Sequence, residues 1–315
     1  MRILLTGACG FIGSSLLRYL LASHPDYEIC VVDKLTYCGK LENIQECLDD
    51  PRVFFVIADI ADREAMARVF SMGRFDGVIN LAAESHVDRS IEDADPFVRS
   101  NVAGVNVLLS LSLKYGIKRF LQVSTDEVYG PKNRDSDTPS TESSHLNPTS
   151  PYAASKAGAD LLVLSYVKTF GLNAVITRSS NCFGPRQYPE KLIPLSIQRI
   201  LSGEKVPIYG DGKNLRDWIY VEDDCRAIDL VFSKGLKGNI YNVRGGNERT
   251  ALEIVESLGK ALDIEPKLEF VTDRKGHDSR YLMDDSKIRV LGYSPKHDFE
   301  ESLKQTALWY RDRMR

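Results

Sequence analysis

The sequence predicts an α/β protein built on a doubly wound parallel sheet, with a smaller α/β half toward the C-terminus. Three observations predict it. Short apolar runs alternate with amphipathic helical stretches through the first 179 residues, the succession that gives parallel strands with helices on both faces. The first of these runs leads directly into a glycine-rich turn. The second ends in an acidic residue, Asp33.

In chain order, Ile3-Leu4-Leu5 reads as a strand, and Gly7, Gly10 and Gly13 frame a turn into a helix with apolar residues at 16, 17, 20 and 21. Missing Cβ atoms let the backbone approach a pyrophosphate, and a helix N-terminus offers free N–H groups. Three glycines at a strand-to-helix turn also occur without any ligand. Asp33, at the end of Ile29-Cys30-Val31-Val32, is placed to accept from an adenosine ribose diol and to repel a 2′-phosphate, which favours NAD over NADP. The competing reading of Asp33 is a loop acid capping the next helix. A third strand, Val53 to Ala58, ends at Asp59-Ile60, beside an expected adenine, and Asp62 is placed to cap a helix through Phe70. A fourth strand, Gly77 to Ala83, ends in small residues that let a cofactor lie close, and the cluster from Glu84 to Arg89 follows at its carboxyl end. This is a Rossmann-type arrangement.

A long helix is expected from about Pro96 to Tyr115, then a buried strand, Arg119 to Val123, which delivers Ser124-Thr125-Asp126-Glu127 to the sheet's carboxyl edge. An acidic dipeptide after a strand is commonly a solvated turn. What reverses that reading is Tyr152 and Lys156, at i and i+4 on a second long helix from Pro151 to about Phe170. An ammonium near a phenol favours phenolate, which makes the tyrosine a usable base. Small residues along this helix, from Ala153 to Ala159, permit close packing, internally or against another subunit. The polar stretch from Pro131 to Pro148 reads as a surface loop over the site.

Beyond a sixth strand ending near Thr177 the rhythm changes. Residues 1–179 are expected to form a dinucleotide-binding domain, with a return of about 217–243, and 180–315 a smaller substrate domain. There Lys191-Leu192-Ile193-Pro194 opens a helix, and Pro207-Ile208-Tyr209-Gly210-Asp211-Gly212 reads as a turn-rich hairpin. Lys191, Arg216, Arg274 and Arg280 are candidate partners for a diphosphate. The last helix, Phe299 to Arg313, has a packed face.

The composition, 43% hydrophobic and 27% charged over 315 residues, is that of an ordinary globular chain able to bury a core. A net charge of -3 with both signs interspersed argues against nucleic-acid or membrane-surface partners, so small molecules are expected. Six scattered cysteines, with no Cys-x-x-Cys pair, read as reduced thiols of a cytoplasmic protein, and no metal site is expected. The first residues run straight into the glycine loop, so no cleavable signal is expected.

Taken together, Thr6-Gly7-x-x-Gly10-Phe11-Ile12-Gly13, Asp33 to Tyr37, Ala82 to Ser90, Ser124 to Gly130, Tyr152 to Lys156, Pro189 to Pro194, Arg216-Asp217-Trp218 and Asp273-Arg274-x-Gly276-His277-Asp278 closely resemble the dTDP-glucose 4,6-dehydratases. These belong to the extended short-chain dehydrogenase/reductase superfamily. The resemblance covers nearly the whole chain. It implies NAD as cofactor, a nucleotide-sugar substrate and a homodimer formed through the two long helices. It implies that Tyr152 removes the C4 hydroxyl proton while hydride leaves C4, with Thr125 holding that hydroxyl and Lys156 tuning the phenol. Glu127 would take the C5 proton, and a protonated Asp126 would supply the departing C6 hydroxyl; hydride then returns to C6.

By the same resemblance, cofactor contacts fall on Gly7, Gly10, Phe11, Ile12, Gly13, Asp33, Lys34, Leu35, Thr36, Asp59, Ile60, Leu81, Ala82, Ala83, Ser100 and Cys182, besides Tyr152 and Lys156. Ser85, Asn181, Lys191, Leu192, Pro207, Ile208, Tyr209, Arg216, Asp273, Arg274, Gly276 and His277 would join Thr125, Asp126 and Glu127 on the nucleotide sugar. Cys182 stands where the family usually has Asn, as does Ala251. The alternatives are a UDP-sugar dehydratase, epimerase or decarboxylase on the same scaffold, and a non-catalytic NAD-sensing protein.

Overall fold

The computed structural model describes residues 1–133, 135, 138–273 and 278–314. Its centre is a seven-stranded, wholly parallel sheet in the order β10-β6-β5-β4-β1-β2-β3. The strands are β1 (Arg2–Thr6), β2 (Glu28–Asp33), β3 (Val53–Ile57), β4 (Gly77–Asn80), β5 (Arg119–Thr125), β6 (Ala174–Ser179) and, from the C-terminal half, β10 (Ile240–Val243). Most are covered on both faces, which is why they read as continuous apolar runs rather than alternating ones.

On one face lie α1 (Phe11–Ser23) and α8 (Val221–Lys234), burying Leu16, Leu17, Leu20, Ile228 and Val231. On the other lie α2 (Arg63–Ser71), α5 (Val105–Lys114) and α6 (Pro151–Phe170), burying Met66, Phe70, Leu108 and Val163. Each such side chain contributes roughly 1.5–3 kcal/mol on leaving water. Local signals set the helix ends. Asp62 accepts from the Glu64 and Ala65 amides, so it caps α2 as expected. Ser150 caps α6 ahead of Pro151, and Gly171, left-handed at φ 74°, ends it.

The helix expected over 96–115 is present in three parts. A short turn, α4 (Asp95–Phe97), follows α3 (Val87–Glu92) and passes into a π-helical stretch, Val98–Gly104, before α5. The wider winding places Ser100 and Asn101, both buried, toward the strand ends; such bulges recur at functional sites.

The remaining elements are β7 (Asn181–Phe183), α7 (Leu192–Leu201), β8 (Lys205–Tyr209), β9 (Leu215–Tyr220), β11 (Glu248–Thr250), α9 (Ala251–Leu262), β12 (Lys267–Val271), α10 (Ser286–Val290) and α11 (Phe299–Met314). They corrected one expectation. The Pro207–Gly212 segment is no hairpin: β8 pairs in parallel with distant β12, while β9 pairs with β11 and β7. The turn itself is real, with Gly210 and Gly212 at positive φ. Turn residues fix a change of direction, but burial decides which strand is paired. Among the described residues no helix is long and apolar enough to cross a membrane, and no three His, Cys, Asp or Glu gather as a metal site.

Candidate active site

A groove runs across the carboxyl ends of β1, β2, β4 and β5, at the point where strand order reverses from β1 to β4. That crevice is where open α/β sheets bind ligands. Gly7 (φ 72°) forms its floor, and a Cβ there would lie 2.5 Å from the Ala82 amide nitrogen; one on Gly13 would lie 2.2 Å from the Gly7 carbonyl oxygen. Only glycine permits the close strand-turn-helix approach. α1 starts at Phe11 without a side-chain cap, so its first-turn amides face the groove as anion donors. Asp33 is held rigidly, Oδ2 accepting from the Cys9 amide and Oδ1 from the Leu35 amide, each at 2.9 Å. A tight glycine cradle, an uncapped helix start and an anchored acid at the second strand's end together fit a dinucleotide with a free ribose diol.

Most of the cofactor positions expected from sequence line this groove: Gly7, Gly10, Phe11, Ile12, Gly13, Asp33, Lys34, Thr36, Ile60, Leu81, Ala82, Ala83, Ser100, Tyr152 and Lys156. Lys34 donates to the Ser100 hydroxyl at 3.0 Å and lies 3.6 Å from Glu84, tying the second strand's loop to the π-helical stretch. Leu35, Asp59 and Cys182 do not line it. Leu35 is taken up in the Asp33 anchor. Asp59 pairs with Arg99 at 3.4 Å and approaches Lys34 at 3.9 Å. The groove also has walls not among the expected contact residues, including Cys38, Gln187, Tyr188 and Glu190. These are loop residues with no local periodicity to mark them.

At the mouth, β5 runs into a 3-10 turn, Asp126–Tyr129, capped by the Thr125 hydroxyl. Thr125 lies beside the buried Tyr152 phenol. The Asp126 carboxyl is buried, and burial, reinforced by the charge of Glu127, pushes it up to about 8. Asp126 therefore carries a proton at neutral pH while the half-buried Glu127 beside it remains the acceptor. A carboxyl held neutral beside a second carboxylate suits an acid and a base.

The expected lysine-phenol coupling takes another form. Burial, then the charge of Glu127, pushes Tyr152 up rather than down. Lys156 Nζ donates to the Val123 carbonyl at 2.6 Å. Burial lowers Lys156 to about 8, opposed by Asp160 one turn further along α6. The reason is geometric: α6 packs so tightly on β5 that the ammonium satisfies a backbone carbonyl first. Asp160 is itself held by Arg178 at 2.9 Å and the Ser124 hydroxyl at 3.0 Å.

The substrate side is partly assembled. Ser85 and Lys191 line the groove, and Lys191 donates to the Ser85 carbonyl at 3.1 Å. Asn181 has a buried amide oxygen without a hydrogen-bond partner, the kind of group a sugar hydroxyl would satisfy. Arg216 stacks over Tyr281 at 4.7 Å and donates to the Asp278 carbonyl, and its charge reaches Asp126. Arg280 is engaged by Glu248 through two 2.7 Å bonds, which makes it a poor diphosphate partner. Ile208 has its side chain in the core, leaving only its backbone to a nucleotide. Leu192 and Pro207 are half-buried, whereas Tyr209 and Asp273 are exposed. Arg274, Gly276 and His277 lie outside the described residues.

Comparison with known proteins gives the family. UDP-sugar 4-epimerases are also among the structural neighbours, such as that of Thermotoga maritima at 32% identity and a TM-score of 0.93, covering 100% of each chain. The sequence model of the family described as GDP-mannose 4,6 dehydratase matches residues 4–306. A dTDP-glucose 4,6-dehydratase of Actinoplanes is 49% identical over 99% of this chain and 98% of its own length. The low-salt glycan biosynthesis protein Agl12 of Haloferax volcanii is also 49% identical, over 98% of each chain. Among solved structures, DesIV, the dTDP-glucose 4,6-dehydratase of Streptomyces venezuelae crystallised with NAD and TYD, superposes with a TM-score of 0.95. It is 46% identical, with 99% of this chain and 97% of DesIV covered.

Proposed function

The chain belongs to this nucleotide-sugar 4,6-dehydratase family, and we propose from that premise that it is an NAD-dependent hydro-lyase converting dTDP-glucose to dTDP-4-keto-6-deoxyglucose and water. The observation that carries the reading is the meeting of Thr125, Asp126 and Glu127 with Tyr152 and Lys156 at one end of the dinucleotide groove. An epimerase has no need of a carboxyl kept protonated beside a charged one.

NAD, held by the turn of Gly7, Gly10 and Gly13 and by Asp33, would supply a hydride acceptor for C4 and later a hydride donor for C6. Thr125 holds the C4 hydroxyl, and Tyr152 takes its proton. To take that proton Tyr152 must first be a phenolate, the form that the ammonium of Lys156, protonated below about pH 8, would favour. With C4 oxidised the C5 hydrogen is acidic, and Glu127 removes it. Asp126 gives its proton to the C6 hydroxyl, which leaves as water. Glu127 would return its proton to C5 as C6 is reduced, and the proton held by Tyr152 would restore Asp126 through solvent, so no net redox change remains.

We assign residues 1–179, with the return of 217–243, to the dinucleotide half and 180–315 to the nucleotide-sugar half; β10 joining the main sheet supports the return. We further assign the protein to the cytoplasm as a homodimer through the surface that includes α6. Exposed Val98 and Leu161 support an apolar contact there. Incubation with dTDP-glucose, UDP-glucose and UDP-GlcNAc in turn, with products identified by mass spectrometry, tests the activity. Loss of water from dTDP-glucose is the expected result, and a product of unchanged mass would overturn it.

A further inference from the structure

Glu190 ties together three segments beside the dinucleotide groove. It precedes α7 in the C-terminal half. One of its oxygens accepts from the Tyr37 hydroxyl at 3.0 Å, in the loop after β2. The other lies 3.5 Å from the His86 imidazole and 3.5 Å from the Arg89 guanidinium, at the start of α3. Arg89 also lies flat on the Tyr37 ring, 3.8 Å from its centroid, and Tyr188 meets that ring edge-on at 5.3 Å. Tyr188 and Glu190 line the groove, as do Thr36, Cys38 and Ser85, the chain neighbours of Tyr37 and His86, so these contacts lie at its edge. The Glu190 side chain is only 14% exposed, and a carboxylate that dry requires partners. Its partners come from the loop after β2 and from α3.

We propose that Glu190 is a cofactor-retaining residue: by joining the loop after β2 and the start of α3 to the segment before α7, it holds the groove closed over the dinucleotide between turnovers. The inference rests on the reading that this groove binds NAD. A reaction that borrows a hydride and returns it is lost if the dinucleotide departs in its reduced form, so a slow exit serves the cycle. The contacts would act on that exit rate and not on the chemistry.

The test compares wild-type protein with E190A, E190D and Y37F, following NAD release after dilution into excess unlabelled NAD, with no sugar nucleotide present. Melting temperature of the NAD-free protein is measured alongside. E190A is expected to release NAD roughly tenfold faster or more, E190D to recover part of the loss, and Y37F to show a smaller effect, with melting temperatures unchanged. Release from E190A at the wild-type rate would overturn the inference alone. Faster release with an equal fall in melting temperature and no recovery in E190D would also overturn it, as the loop would then be serving the fold. Wild-type protein that binds no NAD would overturn the cofactor reading, and this inference with it.

Discussion

Thr125 Oγ1 donates to Asp126 Oδ1 at 3.2 Å, while Oδ2 of the same carboxyl is buried with no partner. One oxygen held and one unsatisfied is the environment of a neutral acid, which agrees with a carboxyl raised to about 8. As a general acid, Asp126 works while protonated, so single-turnover water loss should be sustained below pH 8 and decline as pH rises through it. An alkaline limb is the expected profile, and because Lys156 also loses its proton near 8, C4 oxidation should decline over the same range. The same shift affects stability with a defined sign. An unfolded Asp ionises near pH 4, so from there to about 8 the folded state holds a proton the unfolded state has released, and stability falls with rising pH. Asp126→Asn should therefore abolish elimination yet melt higher than the parent at pH 7.5; a lower melting temperature would contradict the buried neutral acid.

Glu127 is one residue further on and half-buried, and its assigned task begins only after C4 is oxidised. Glu127→Gln should consequently reduce bound NAD on mixing with substrate but fail to proceed. Stopped-flow absorbance at 340 nm is expected to rise and persist, with product formation slowed about 10²–10⁴-fold. Equal loss of both phases would mean that the two carboxyls do not divide the work.

What the sequence showed of this site depended on how locally each part is encoded. The glycine turn, Asp33 and the i,i+4 pair of Tyr152 and Lys156 each belong to one element, and their spacing alone places them on a common edge. The pairing of β8 with β12 links Lys205–Tyr209 to residues more than sixty positions away, beyond the reach of any turn signal. Glu190 and Tyr188 acquire their setting only when two halves of the chain close on one another. Lys156 shows a finer limit, since its position was legible but its bond to the Val123 carbonyl was decided by how closely α6 rests on β5.

Asp33 combines two tasks, anchoring the turn through Cys9 and facing the groove as a carboxylate. Asp33→Ala should weaken NAD binding by roughly tenfold and bring NADP affinity close to that of NAD, because the repulsion toward a 2′-phosphate is removed. Titration of intrinsic fluorescence with each dinucleotide measures both constants. Retained discrimination would assign the choice of cofactor to another residue.

Arg178 and Asp160 form an ion pair buried at both ends, with Arg178 also lying over the Tyr129 ring at 4.7 Å. Such a pair gains little net stability over well-packed apolar groups, yet removing one partner leaves a charge with no water to receive it. Here the consequence is sharper, because Lys156 is a second buried cation drawing on the same carboxylate. Asp160→Asn would leave two cations facing no anion, and urea unfolding at pH 7 should show a loss of about 3–5 kcal/mol. Arg178→Met removes one of the competing cations but leaves Asp160 to Lys156 and Ser124, so its loss should be smaller than that of Asp160→Asn. The reverse order would show that Lys156 does not share the charge of Asp160.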